Sequence, residues 1–160
     1  MAADPRFAEL LRVLHDHGVE FVVVGGVAAV LEGAPLSTFD LDIVPRWSGE
    51  NLDRLAVALE SLEALYGDPA GREIKPTRER LASPGHHLLD TRLGPLDVLG
   101  TIGRARRFED LEGSTVTYEV DGRSYRVLDL DTQIEVKREA GREKDRAALP
   151  LLVRTREKRG

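Results

Sequence analysis

Apolar positions change their period several times along the first third of the chain, and each change marks an element. Phe7, Leu10, Leu11 and Leu14 recur at helical spacing behind Asp4-Pro5, an N-cap followed by proline at the first helical position. Gly18 stops that helix, and residues 19–24 form a short β-branched run that reads as a buried strand. Gly25-Gly26 breaks the strand, and residues 27–32 read as a short helix ended by Gly33. After a turn over residues 35–38, the segment FDLDIV alternates from Phe39 to Val44 and is closed by Pro45. This alternation directs Phe39, Leu41 and Ile43 to the core. Asp40 and Asp42 then share the opposite face, roughly 6.6 Å apart along the strand.

The helical period returns with Leu52, Leu55, Leu59 and Leu62, an amphipathic helix over residues 51–63. Residues 66–85 hold glycine, proline and many charges and read as a loop with a short helical turn. Residues 87–91 and 95–99 read as two strands joined through Arg92-Leu93-Gly94. Residues 115–120 and 124–128 read as a hairpin around Asp121-Gly122, a strong turn pair. Asp129 then caps a helix to about residue 140, Gly141 interrupts it, and a last helix covers roughly residues 143–154. There is no repeat, low-complexity tract or linker, so residues 1–160 read as one domain. The order of elements predicts an α+β fold with a small mixed sheet and helices largely on one side. The late hairpin argues against a purely parallel, doubly wound sheet.

Composition narrows the chemistry. A chain of 160 residues buries a core without disulfides or a structural metal. Aromatic residues are 5%, so that core is mainly Leu, Val and Ala. With no cysteine, disulfides, thiolate metal sites and cysteine nucleophiles are excluded. The start has no signal-peptide apolar region and the longest apolar runs are too short to span a bilayer, so the expected location is cytoplasmic, away from membranes. Net charge is −5, yet basic residues cluster at Arg104, Arg106 and Arg107, at Lys137, Arg138, Arg142, Lys144 and Arg146, and at Arg154, Arg156, Lys158 and Arg159. Such clusters read either as solvated helix faces balanced by nearby Glu or as a local phosphate-binding surface.

Asp40 and Asp42 carry the clearest chemical signal. Two neighbouring carboxylates repel unless a cation sits between them, and a hard divalent ion with oxygen ligands relieves that repulsion. The other reading is an edge strand with two acids on its wet face. The preceding strand–Gly-Gly–helix junction adds backbone N–H groups suited to phosphate. Asp97 in Leu96-Asp97-Val98-Leu99 is a lone acid among apolar residues, which needs a partner if buried. His15, His17, His86 and His87 lack metal-site spacing, and G-x-S-x-G, P-loop and C-x-x-C patterns are absent.

The run VVVGGVAAVLEGAPLSTFDLDIV resembles the first motif of the nucleotidyltransferase superfamily, with glycines at a strand end and D-x-D on the next strand. LGPLDVLG and the tail VLDLDTQIEVKREAGREKDRAALPLL are similar to AbiEii-like toxins and their uncharacterised nucleotidyltransferase relatives. The resemblance covers most of the chain outside residues 66–85. It implies Mg²⁺ or Mn²⁺ held by Asp40, Asp42 and Asp97, with Lys137 and Asp145 completing the catalytic set. It also implies that Gly25, Gly26, Thr38, Lys137, Arg142 and Lys144 bind a nucleoside triphosphate. The implied reaction moves a nucleoside monophosphate to a hydroxyl acceptor, RNA or protein, with a cognate antitoxin or toxin as partner. The alternative is a non-catalytic nucleotide-binding or protein-interaction module of the same fold. The chain departs from many such transferases in having Gly26 where they carry serine and Ser37 where relatives often carry a basic residue.

Overall fold

A computed structural model describes residues 5–159, so the expected Asp4 cap lies outside the described residues. In chain order the elements are α1 (Pro5–Asp16), β1 (Phe21–Val24), α2 (Gly25–Leu31), β2 (Leu41–Pro45), α3 (Gly49–Ser61), β3 (Leu65–Tyr66) and α4 (Arg78–Leu81). They continue with β4 (His86–Thr91), β5 (Gly94–Leu99), α5 (Phe108–Leu111), β6 (Thr115–Val120), β7 (Arg123–Leu128), α6 (Leu130–Ala140) and α7 (Glu143–Arg159). The strands form one sheet in the order β3-β4-β5-β2-β1-β7-β6. β2 pairs with β5, and β1 with β7, in parallel; the other pairs are antiparallel. The sheet is therefore mixed, as the late hairpin required.

Alternation along the strands builds two unequal faces. Phe21 and Val23 of β1, with Ile43, Val98 and Val127, meet Leu10, Leu14, Leu55, Leu59 and Leu81 from α1, α3 and α4. Each such side chain, when fully buried, contributes on the order of 1.5–3 kcal/mol. On the other face Val22, Val24, Val44 and Leu128 pack under Phe108 and Leu111 of α5, with Val136 of α6 against them. A third apolar cluster, including Ala29, Leu130, Ile134 and Leu152, joins α2, α6 and α7. α1, α3 and α4 thus cover one face, and α5 and α6 cover the second.

Several boundaries differ from the sequence reading. β2 begins at Leu41 rather than Phe39, and Phe39 is 77% exposed instead of facing the core. Both neighbouring ladders stop here: β1 pairs no further than Val24 opposite Asp42, where Gly25 turns the chain away at φ +67°, and β5 pairs no further than Leu96 opposite Leu41. No ladder partner remains for residues 39–40, so the alternation stops before Phe39. The same turn starts α2 at Gly25, two residues earlier than expected. α3 begins at Gly49, because Ser48 caps it by accepting from the Asn51 N–H. The buried Asn51 side chain then joins Glu20 N–H, Glu20 C=O and Arg46 C=O, tying β1 to β2. Residues 66–85 contain the expected short helical turn as α4, and beyond that reading a bridge from Tyr66 to Ile74 beside the short strand β3.

α7 runs to Arg159, past the expected residue 154. Arg159 donates to the Glu32 carbonyl at 2.8 Å and to its carboxylate at 2.6 Å. Glu32 is buried and also accepts from the Tyr118 hydroxyl and the Leu130 N–H. This node pins the last turn of α7 to the ends of α2 and α6, which encloses one side of the cavity described next.

Candidate active site

The acids converge through strand register. Asp42 of β2 stands directly opposite Asp97 of parallel β5, between buried Leu41 and Ile43 on one strand and Leu96 and Val98 on the other. The apolar neighbours take the helix-covered face, which leaves both carboxylates on the second face. Asp40 precedes β2, yet a carboxylate oxygen from each of Asp40, Asp42 and Asp97 lies within 4.8 Å of the others.

Glycine makes the close approach possible. A Cβ on Gly25 would come 2.1 Å from Asp42 Oδ2, and one on Gly26 would come 2.4 Å from Thr38 Oγ1. The backbone of residue 25, at φ +67°, is one that other residues rarely adopt. Gly26 thus makes room for the Thr38 hydroxyl, which donates to the Asp40 carbonyl at 3.3 Å.

The electrostatics follow from this crowding. Burial first, then the Asp97 charge, a hydrogen bond with Asp97 and the Asp40 charge push the Asp42 carboxyl up to about 7, with Lys137 partly opposing. Burial and Asp40 likewise raise Asp97. Asp42 Oδ1 is buried with no hydrogen-bond partner. An unpaired buried carboxylate oxygen is costly, and a bound cation removes the cost. The three oxygen donors and the orphaned atom fit a hard divalent ion, and Asp40, Asp42 and Asp97 are the residues that would hold it.

Asp42 opens onto a cavity of about 390 Å³ between the sheet and α2, α6 and α7. Gly25, Gly26, Lys137, Arg142 and Asp145 also line it. Gly141 ends α6 in the left-handed conformation at φ +62° and folds α7 back against it. That corner delivers Asp145 to Lys137. Asp145 is buried, accepts from Lys137 Nζ at 3.1 Å and from Arg142 Nε at 2.6 Å, and caps α7 by accepting from the Arg142 N–H. Burial raises its pKa, but the hydrogen bonds from Arg142 and Lys137 outweigh it and hold the carboxyl below its ordinary value. Two cations are thereby fixed at the cavity wall by one buried anion.

Lys144 is exposed and stands apart from the cavity lining. Thr38 meets the site through Gly26 rather than through the cavity. The sequence reading missed His86, Gln133 and the Thr101–Ile102–Gly103 segment, all of which line the cavity. His86 was legible: the β4 pattern His86, Leu88, Asp90 alternates outward against buried His87 and Leu89. The segment carries no local signal, because its placement comes from a distant clamp. Arg106 pairs with Glu139 and Glu135 of α6, and the Arg104 N–H donates to Glu139 Oε1.

No protein-family model matches the sequence, and no curated protein matches it. Solved structures do. The chain is similar to a Thermotoga maritima protein assigned as a nucleotidyltransferase, with 17% identity, TM-score 0.59 and 96% of each chain covered. It is similar to the lincosamide antibiotic adenylyltransferase LnuA, in a lincomycin-bound structure, with 12% identity, TM-score 0.61, and 94% of this chain and 96% of that one covered. It is also similar to the antibiotic-resistance factor ANT(2'')-Ia, with 15% identity, TM-score 0.57, and 92% and 80% covered. The chain has the nucleotidyltransferase fold.

Proposed function

We propose, with that fold as the premise, that the protein is a divalent-metal-dependent nucleotidyltransferase that moves a nucleoside monophosphate from a nucleoside triphosphate to a hydroxyl acceptor. The observation that carries this reading is the Asp40–Asp42–Asp97 cluster, with its orphaned Asp42 Oδ1, at a cavity walled by Lys137 and Arg142. A structural triad of acids would not leave one buried oxygen without a partner.

In this reading a bound divalent ion supplies charge neutralisation for the triphosphate and for the departing pyrophosphate. The residues do the rest. Lys137 and Arg142 bind phosphate oxygens from the α6–α7 corner, and Asp145 keeps both from swinging to solvent. Gly25 and Gly26 keep the backbone open beside Asp42. The acceptor oxygen attacks the α-phosphorus, the bond from that phosphorus to the bridging oxygen of pyrophosphate breaks, and Asp97 takes the hydroxyl proton. Lys144 is proposed only as an outer contact.

The neighbours LnuA and ANT(2'')-Ia are named for antibiotics, and ANT(2'')-Ia has been solved with adenylyl-2''-tobramycin. For this chain the expected acceptor, RNA or protein, rests on the AbiEii-like resemblance and on the basic clusters. Part of those clusters is already engaged within the chain: Arg106 pairs with Glu135 and Glu139, Arg156 with Asp131, and Arg159 with Glu32. The main support for a macromolecular acceptor is the AbiEii-like sequence segments, and a toxin–antitoxin setting rests on the same segments. No helix among the described residues is long and apolar enough to cross a membrane.

Calorimetry with each of the four NTPs and Mg²⁺, followed by transfer of α-³²P label to total cellular RNA, protein and small-molecule extract, tests the reading. Metal-dependent binding and labelled product are expected. Binding without any transfer would favour the non-catalytic module, and no binding would remove the reading altogether.

A further inference from the structure

We infer that Gln133 selects the base of the nucleotide, favouring an amine at purine C6 or pyrimidine C4 (adenine or cytosine) over the counterparts that carry a carbonyl there. This rests on the nucleotidyltransferase reading and deepens it.

Gln133 lines the cavity although it is only 5% exposed. Its amide nitrogen donates to the Leu128 carbonyl at 2.8 Å. A carbonyl can only accept, so this contact sets which end of the amide is nitrogen and which is oxygen. Among the described residues nothing donates to Gln133 Oε1. That oxygen is not sealed either, since Asp42 Oδ1 is the buried side-chain atom left without a partner and Gln133 Oε1 is not. For a residue so enclosed, the opening it sees is the cavity. A pre-oriented acceptor with no protein donor therefore faces the space that would hold the nucleotide.

Position along α6 supports assigning it to the base. Lys137 lies one helical turn beyond Gln133 on the same face, which puts their Cβ atoms about 5–6 Å apart, and both residues line the cavity. Lys137 belongs to the charged end with Asp42, Arg142 and Asp145. Ala29, Leu36 and Leu152, from the α2–α6–α7 apolar cluster, supply a wall without charges that suits a flat ring. A carbonyl acceptor beside that wall binds an amino group and repels a ring carbonyl. Leaving a buried acceptor unmatched is the kind of mismatch that discriminates strongly.

The unmodified protein gives the primary test. Equilibrium binding of ATP, ITP, CTP and UTP is measured with Mg²⁺; ITP differs from ATP in carrying oxygen where adenine carries its amine. ATP is expected to bind at least about tenfold more tightly than ITP, or CTP than UTP, and the pair that discriminates tells adenine from cytosine. Equal affinities within both pairs overturn the inference while leaving nucleotide binding intact. No binding by any of the four overturns the nucleotidyltransferase reading and this inference with it. In Gln133→Leu the discrimination should collapse below about threefold, with the triphosphate contribution retained. Discrimination that persists in this variant, folded as judged by its melting transition, would assign the selection to another group.

Discussion

Asp42 and Asp97 stand in register on the parallel strands β2 and β5, so two carboxyls that would repel each other are held side by side by the sheet itself. Side-chain rotation can shift the carboxylates, but their backbones stay paired unless the β2–β5 ladder breaks. The remaining ways to relieve the pair are a shared proton or a cation. Mg²⁺ or Mn²⁺ at about a hundredfold excess over Kd is therefore expected to stabilise the protein by about 2.7 kcal/mol. This corresponds to a rise in Tm of roughly 5–10 °C for a chain of this size. The gain should be larger at pH 8 than at pH 5.5, where protons compete for the same oxygens. Thermal melts with and without metal check this; a metal-independent Tm at pH 8 would refute the site.

The metal-free protein makes a second prediction with a definite sign. The folded-state pKa of Asp42 lies near 7, whereas in the unfolded chain it is about 3.9. The native state then holds more protons than the unfolded state between these values. Stability falls as pH rises from about 4 to about 7, and the loss is complete above 7. Asp42→Asn cannot ionise. With chelator present it should be more stable than the native sequence at pH 8, by on the order of 1–2 kcal/mol after allowance for solvent at the cavity rim, and little different near pH 4. Urea midpoints at the two pH values decide. An Asp42→Asn protein that is weaker than the native sequence at pH 8 would show that the carboxylate makes a favourable contact instead.

Much of this site is legible in the sequence because its parts are local. D-x-D before Pro45, the glycine pair and the lone acid in LGPLDVLG each declare themselves within a few residues, whereas Lys137 and Asp145 emerge only through the resemblance of the tail. Phe39 misleads because alternation is a property of paired strands, and pairing ends at Val24 when Gly25 turns away. Gln133 escapes notice because nothing in Asp131-Thr132-Gln133-Ile134 marks it as unusual. Its character comes from the Leu128 carbonyl and the cavity, both products of tertiary packing.

Gly25 should resist substitution for two separable reasons. Its φ of +67° strains any L side chain, at a cost on the order of 1 kcal/mol, and its Cβ would collide with Asp42 Oδ2. Gly25→Ala is expected to lower Tm by roughly 3–8 °C and to abolish the metal-dependent stabilisation, because Asp42 must move. Gly141, which shares the left-handed conformation but has no side-chain atom close by, is the control. Gly141→Ala should lower Tm to a similar degree while leaving the metal response in place. Loss of the response in both variants would mean that global destabilisation, not displacement of Asp42, is responsible.

The clamp between Arg106 and Glu139 gives a further test, because it holds Thr101, Ile102 and Gly103 against the cavity. Arg106 keeps a quarter of its side chain exposed, so the pair contributes about 1 kcal/mol rather than the larger figure of a buried bridge. Arg106→Ala should therefore shift Tm by no more than roughly 4 °C, yet raise amide exchange over residues 101–104 well above that of the neighbouring strands. Uniformly raised exchange across the sheet would show that the contact supports the whole fold and not this segment.

Lys137 and Arg142 share one buried anion, and their unequal contacts predict different consequences when each partner is removed. Asp145→Asn keeps the volume but leaves two cations without their counter-charge and weakens the cap on the Arg142 N–H. Both cations retain some solvent access, 30% for Lys137 and 58% for Arg142, so they rehydrate and the expected cost is about 1–3 kcal/mol. Lys137→Ala leaves Asp145 paired with Arg142 through Nε and a second guanidinium nitrogen. Its cost in stability should be smaller, under about 1.5 kcal/mol. The order reverses for nucleotide affinity. Lys137→Ala removes a cation that faces the cavity and should weaken NTP binding by at least about tenfold, as expected for loss of a charge-assisted hydrogen bond. Asp145→Asn only frees that cation to move and should weaken binding less. Paired measurements of Tm and NTP affinity on both variants therefore give a crossed pattern if Lys137 binds phosphate. A Lys137→Ala protein that loses as much stability as Asp145→Asn but binds NTP normally would make Lys137 a structural counter-ion.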